Sequence, residues 1–395
     1  MRTVGVEEEL LVVDPSGRPV PLGPDALEVA ARRGEGEDVE EHDRAEREHA
    51  PADESTAASL VPELKAQQLE FGTAVCTGLA DIDAELRHWR ARADSTAAAV
   101  GARVAALATS PVAVDPVPTE GERYARMLDV FGPTAREMLT CGCHVHVAVA
   151  DEVEGVAVLN RIGVWLPVLT ALTANSPFWQ GEDTGYASYR SSVWRRWPSA
   201  GPIDVLPDAA AYHRLVDSIL ATDTVLDTGQ LYFDARLSEQ WPTVEVRTAD
   251  VALHVEDAVT LAGLVRGLVE TAARDAREGR PPPEVATEVL RLASWRAGRS
   301  GLTGDLVHPL TGRPAPAADV LAELLDSVRP ALADAGDDQR VTDGLAALLR
   351  RGSGADLQRR VHRETGDLAA VVRAAVAVTA GQAPDASGAG RAATG

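Results

Sequence analysis

The sequence predicts an α+β fold whose sheet is mixed or antiparallel. Two observations carry that prediction. Short runs of apolar and β-branched residues, read as strands, occur near 2–13, 69–75, 141–149, 231–236 and 243–248, with long stretches of helical period between and after them. No Gly-x-Gly-x-x-Gly opens a helix after any of these strands, so the alternation is not that of a dinucleotide-binding parallel sheet.

The first strand, 2–13, is closed by the turn residues Asp14-Pro15-Ser16-Gly17. Residues 34–56 consist mainly of Glu, Asp, Arg, Ala and Gly, which predicts a mobile acidic excursion. After the strand Leu69–Val75, apolar residues recur at three- and four-residue steps from Leu79 through Trp89 and Val100 to Leu107, predicting an amphipathic helix over 79–108. Pro111, Pro116 and Pro118 interrupt the chain before the strand around His144. A helix over 152–174 is expected next. The segment 175–202, rich in Gly, Ser, Trp and Arg, shows neither period, and is expected to be an active-site loop. A helix over 255–278 is stopped by Gly279 and three prolines, and helices near 284–297, 317–334, 338–351 and 354–378 follow. No repeats occur, so one domain over 1–379 with a disordered tail, 380–395, is expected.

The chain has 395 residues, is 45% hydrophobic, and carries a formal charge of −22. Such acidity disfavours nucleic acid and anionic membranes as partners, since both need a basic surface. No apolar run approaches the roughly 20 residues that span a bilayer, and no signal peptide is evident, so a cytoplasmic protein is expected. Three cysteines, Cys76, Cys141 and Cys143, do not make a disulfide framework. Lys65 is the only lysine. Without a Gly-x-x-x-x-Gly-Lys-[Ser/Thr] run, any phosphate chemistry falls to arginine and metal.

Three strand segments each carry polar residues two apart: Glu7 and Glu9, His144 and His146, Glu245 and Arg247. On a strand such residues share a face. Taken singly, each pair also fits a solvated edge strand or a cross-strand ion pair. If the strands are neighbours, they form a platform of carboxylates, imidazoles and guanidinium suited to Mg²⁺ or Mn²⁺ rather than zinc. Cys141 and Cys143 alternate with the histidines, so the four cannot converge on one tetrahedral ion. Glu8 falls on the apolar side and is not expected to be a ligand.

Gly5-Val6-Glu7-Glu8-Glu9, Gln68-Leu69-Glu70-Phe71-Gly72-Thr73, Gly142-Cys143-His144-Val145-His146-Val147 and Thr243-Val244-Glu245-Val246-Arg247 resemble the bacterial carboxylate-amine ligases called glutamate–cysteine ligase type 2. So do Ser176-Pro177, Ala187-Ser188-Tyr189-Arg190, Asp234-Ala235-Arg236 and Arg296-Ala297-Gly298-Arg299, in the same order along nearly the whole chain. The resemblance departs at 34–56, which matches no family motif, and at Ser300, where the family often has an aromatic residue.

That family is glutamine synthetase-like. The resemblance implies a curved, mainly antiparallel sheet flanked by helices, with the active site on its concave face. It further implies Glu7, Glu9, Glu70, His146 and Glu245 as Mg²⁺ (or Mn²⁺) ligands, and Arg247 and Arg190 as catalytic contacts. Arg247, Arg236, Arg296 and Arg299 become candidates for holding ATP. The implied reaction joins glutamate to cysteine with ATP through an acyl phosphate, with amino acids and ATP as partners and room for a homo-oligomer. The amine or acid could differ. A metal-dependent hydrolase, which can also use a His-x-His strand, and a catalytically silent binding protein are the competing classes.

Overall fold

The structure of the protein, a computed structural model, describes residues 1–42 and 58–383. The seven strands of its main sheet are β1 (Val4–Val13), β2 (Leu60–Val61), β3 (Gln68–Gly72), β4 (Arg103–Ala105), β5 (Gly142–Ala148), and, after the small β6 (Phe178–Trp179) and β7 (Glu182–Asp183) hairpin, β8 (Ala235–Leu237) and β9 (Thr243–Asp250). Their order is β2-β3-β1-β5-β9-β8, with β4 pairing the far half of β1, and every pairing is antiparallel. The expected α+β architecture is therefore present, with the antiparallel alternative realised.

Period-two alternation gives the sheet two different faces. Val4, Val6 and Leu10 of β1, Cys143, Val145 and Val147 of β5, and Val244 and Val246 of β9 are buried on one of them. The helices Leu79–Ala99, Glu152–Ile162 and Val255–Arg277 pack on the strands and continue the same core. Full burial of each such aliphatic side chain contributes about 1.5–3 kcal/mol. Val255–Arg277 is buried nearly all round because further helices, Ala317–Ala335 and Asp338–Arg351, cover its outer side. Gly263 permits the approach: a Cβ there would lie 2.5 Å from Val341 Cγ2.

Glu8 is the exception on the apolar face, and it is fully buried. Arg90 meets it through two 2.7 Å hydrogen bonds and also donates to the carbonyls of Ala252 and Leu253. The middle glutamate of the triplet is a bolt between sheet and helices, in keeping with its expected exclusion from the site.

Several elements differ from the periodicity. The helix expected over 79–108 ends at Ala99, just before Gly101 with φ +82°, and residues 103–105 continue as β4. The helix expected over 152–174 is two, Glu152–Ile162 and Leu166–Leu172, bent by 67° around Gly163. The last helix splits at Gly366 (φ +67°), with Asp367 capping the second half. Between the prolines and β5 the chain forms two helices, Glu122–Phe131 and Pro133–Glu137, which the sequence reading lacked.

The expected excursion 34–56 lies mostly outside the described residues. Its first part is tied down: Glu37 N–H donates to the Leu60 carbonyl at 3.0 Å, and Glu35 pairs with Arg92. The tail lies outside them from residue 384 on. Among the described residues, no single helix is long and apolar enough to cross a membrane.

Candidate active site

Antiparallel register turns the three polar pairs into one surface. Residues directly opposite each other on neighbouring strands share a face. Glu9 lies opposite Glu70, Glu7 opposite His144, His146 opposite Glu245, and Glu245 opposite Arg236. Arg247, two residues beyond Glu245 on β9, shares that surface and bonds the Glu245 carboxylate. Glu7, Glu9, Glu70, His146, Glu245, Arg236 and Arg247, expected separately, thus stand on one platform opposite the apolar face.

The side chains converge. His144 Nδ1 lies 3.1 Å from Glu7 Oε2, and its Nε2 lies 3.8 Å from Glu9 Oε1. His146 Nε2 lies 3.2 Å from Glu7 Oε1, while its Nδ1 is 3.1 Å from the Thr243 hydroxyl. Glu245 accepts from Arg236 Nε at 2.7 Å and from Arg247 Nη1. Ligand atoms from Glu7, His144 and Glu245 lie within 4.8 Å of one another. The Nε2 atom of His144 is buried without a hydrogen-bond partner, and that of His146 faces the Glu7 carboxylate. Such a donor set can hold a divalent cation, and carboxylate oxygen with imidazole suits Mg²⁺ or Mn²⁺. His144 joins the expected ligands on this geometry; its place beside His146 on one face was the only sequence signal for it.

The electrostatics divide the platform. Burial works against ionisation of Glu245, but the charges of Arg247, Arg236 and His146 hold it well below the usual carboxylate range. Glu7 is also held well below, since His146 and the hydrogen bonds from His144 and His146 outweigh its burial. His146 is raised because Glu7 and Glu245 outweigh desolvation, whereas His144 is lowered by burial and Arg247. At the other end the balance reverses. Burial, then Glu7, Glu63 and Glu9, push Glu70 well above its ordinary value. Burial and Glu9 push Glu63 up to about 7. Glu63 had no signal in the sequence beyond being a carboxylate before β3. The Glu9/Glu70/Glu63 end is thus crowded with carboxyls, Glu70 and Glu63 favouring their protonated form, and a bound cation would displace those protons.

Beside the Glu7/Glu245 end opens a cleft of about 400 Å³. Glu7, His146, Glu245 and Arg236 form its floor. Tyr212 and Val216 of the helix Ala209–Leu220, with Leu231, Leu237 and Trp241, provide apolar wall. None of these wall residues was singled out by the sequence, because an apolar side chain lining a cleft reads like one lining a core.

The expected arginines part company. Arg236 is engaged twice, with Glu245 and with the carbonyls of Thr228, Gly229 and Leu231, so it ties the cleft wall to the platform. Arg247 Nε is buried without a partner. Arg190 lies over Gly142 on the platform side of β5, in the place a side chain at 142 would take. Arg296 and Arg299, on the helix Thr287–Ser300, are not brought to the platform. Arg296 donates to the Asp305 carbonyl, and Arg299 binds the Gly185 carbonyl and lies over Tyr186. The segment 175–202, expected to be irregular, holds a hairpin and the helix Arg190–Trp194. It is anchored by Asp250, which accepts from Asn175 N–H and the hydroxyls of Ser176 and Ser188 at 2.7–2.8 Å.

Known proteins match this chain along nearly its whole length. Residues 3–374 match the family model described as glutamate-cysteine ligase family 2. A protein of Paenarthrobacter aurescens named "Putative glutamate--cysteine ligase 2-1" is 49% identical over 96% of this chain and 95% of its own length. One of Streptomyces coelicolor, named "Putative glutamate--cysteine ligase 2", is 49% identical over 95% of this chain and 98% of its own. Among solved structures, the glutamate–cysteine ligase of Francisella tularensis in complex with AMP superposes with a TM-score of 0.66 at 14% identity, covering 96% of this chain and 89% of that one. The bifunctional glutathione synthetase of Pasteurella multocida gives 0.62 at 12% identity, over 96% and 52%. At such identities these structures speak for the fold alone, whereas the family model and the relatives speak for descent. The chain belongs to glutamate-cysteine ligase family 2 and is an enzyme of the ATP-dependent carboxylate-amine ligase type.

Proposed function

We propose that the protein joins the γ-carboxylate of glutamate to the amine of cysteine, with ATP converted to ADP and phosphate. The observation that carries the reading is the single platform on which Glu7, Glu9, Glu70, His144, His146, Glu245 and Arg247 meet across four neighbouring strands. The names of the curated relatives support cysteine as the amine. Family membership sets aside the hydrolase that a His-x-His strand also allows.

A carboxylate is a poor electrophile. Transfer of the γ-phosphoryl group of ATP onto it gives an acyl phosphate, which the amine attacks with loss of phosphate. Phosphoryl transfer needs positioning and charge neutralisation more than covalent help. Glu7, Glu9, Glu70, Glu245 and His146, joined by His144 and Glu63, would hold Mg²⁺ or Mn²⁺, whose charge neutralises phosphate oxygens when bound. Arg247 adds a guanidinium to the same end, with Glu245 fixing its plane. The cleft beside Glu7 and Glu245 takes the nucleotide: its volume and its Trp241 and Tyr212 wall suit a purine, and its floor leads to the platform. The acid and amine then occupy the Glu9/Glu70 end, walled by the anchored 175–202 segment, which keeps water from the acyl phosphate.

The test is ADP release with Mg²⁺, ATP and glutamate against a panel of amines that includes cysteine, repeated on Glu7→Gln and Glu245→Gln. Cysteine-dependent ADP and γ-glutamylcysteine, lost in both variants, are expected. No amine-dependent ADP with any member of the panel would sink the reading.

A further inference from the structure

Arg190 is 1% exposed, yet among the described residues its guanidinium enters no salt bridge and no hydrogen bond. Its Nε and Nη2 are both buried without a partner. Burying an unpaired cation costs several kcal/mol, so a buried arginine normally carries its anion with it. The neighbouring acids are already committed. Asp250 and Asp234 feel the Arg190 charge without bonding it: Asp250 accepts from Asn175, Ser176 and Ser188, and Asp234 is paired with Arg195.

The position of this charge is fixed from three sides. Ser176 Oγ accepts from the Arg190 backbone N–H at 3.0 Å, the Trp194 ring lies 5.4 Å from Cζ, and Gly142 lies beneath. A Cβ on Gly142 would come within 2.3 Å of Nη2, so β5 is bare at this point to admit the guanidinium. Gly142 N–H in turn donates to Glu9 Oε2 at 2.8 Å. The unpaired guanidinium therefore stands on the platform face, next to Glu9 and two residues along β5 from His144. Two residues of strand span roughly 7 Å, a separation that the two ends of an extended five-carbon dicarboxylic acid can bridge.

We propose that Arg190 anchors the α-carboxylate of the acid substrate, leaving its γ-carboxylate at the platform centre where the phosphoryl group arrives. This rests on the ligase reading for the identity of the acid, but the buried, unpaired guanidinium stands independently of it. Two anions could take this position: the α-carboxylate, or a phosphate oxygen of the nucleotide. The location at the end of the platform away from the nucleotide cleft selects the carboxylate.

Calorimetric binding separates these cases without turnover. L-glutamate, 4-aminobutyrate (which lacks only the α-carboxylate) and Mg²⁺–ADP are titrated into the full-length protein, Arg190→Gln and Arg190→Lys. The wild type should bind glutamate about 100-fold more tightly than 4-aminobutyrate, as expected where a buried polar group is built to meet a ligand group. Arg190→Gln should reduce that ratio to near unity with ADP affinity within about threefold, and Arg190→Lys should restore part of the ratio. A ratio unchanged in Arg190→Gln, or a loss confined to ADP, overturns the proposal. Circular dichroism identifies a misfolded Arg190→Gln, in which case Arg190→Lys decides by the same ratio. A wild type that discriminates the two acids but releases no amine-dependent ADP would defeat the ligase reading and leave the anchor standing.

Discussion

Glu9 and Glu70 lie directly opposite one another across β1 and β3, two carboxylates in register on the open face of the sheet. Opposed like charges destabilise a strand pair, and here Glu63 adds a third. In the absence of a cation, Glu70 lies well above its ordinary value and Glu63 at about 7. A carboxyl whose folded-state value is raised favours the protonated fold. Its stability cost is absent below the unfolded value near 4.5 and complete above the folded one. The protein in EDTA is therefore expected to lose thermal stability as pH rises from about 5 to about 8. Mg²⁺ at about 100 times its Kd should add ~2.7 kcal/mol and flatten the slope, as should Glu63→Gln. Thermal melts across that range check this, and a metal-free protein whose Tm rises toward pH 8 contradicts it.

Glu245 sets the opposite end. Its carboxylate joins Arg236 to Arg247 and lies beside Glu7 and His146. Glu245→Gln keeps the shape but removes the charge that holds both guanidinium groups. A fall in kcat/KM for ATP of about 10²–10³-fold is expected, the range seen when one electrostatic stabiliser is removed. Arg236→Lys should act mainly on KM for ATP, because Arg236 fixes the 228–231 wall of the cleft. Steady-state kinetics with ATP varied will show it. Activity within twofold of wild type in Glu245→Gln would remove this residue from the site.

Behind the platform, the Glu8–Arg90 pair is a matter of stability and not of chemistry. Removing one partner of a buried ion pair costs about 3–5 kcal/mol, whereas an apolar pair of similar volume is often neutral. Glu8→Gln and Arg90→Met should each show that loss in urea unfolding, and Glu8→Leu/Arg90→Met should recover most of it. Kinetic constants per folded molecule should stay near wild type in the double variant. A large change there would mean that Glu8 reaches the active face after all.

The legible part of this site was the part written in period two. Glu7/Glu9, His144/His146 and Glu245/Arg247 announce shared faces, because alternation along a strand is a local property. Which strands neighbour each other is not local. The platform therefore became a fact only with the Glu7–His144 and His146–Glu245 registers. Glu63 escaped because it precedes its strand, and Trp241 because it lies in the turn before β9. Arg296 and Arg299 stood out by resemblance, but they sit on a helix, where a neighbouring carbonyl was enough to occupy each. The overrun of the 79–108 helix has a similar cause. Small and aliphatic residues such as Ala97, Val100 and Val104 serve either period, and Gly101 alone marks the change.

Gly142 offers the sharpest separation of site from scaffold. A methyl group there would meet Arg190 Nη2 at 2.3 Å and Cζ at 3.0 Å, both at the end of a long side chain that can yield. Gly263 is equally crowded, with Val341 Cγ2 at 2.5 Å and Leu79 Cδ1 at 2.9 Å, but its neighbours are the side chains of packed helices and not of the platform. Gly142→Ala should fold with a Tm close to wild type, because the guanidinium is displaced and not a packed core. Its displacement should raise KM for the acid more than tenfold and, by shifting the Gly142 hydrogen bond, loosen Glu9. Gly263→Ala should instead lose about 1–3 kcal/mol, as overpacked cores do, with unchanged KM and kcat for the folded fraction. Melts and kinetics on the two variants together decide the matter. Equal stability losses in both, with no change in KM for either, would show that Arg190 does nothing at Gly142 but fill space.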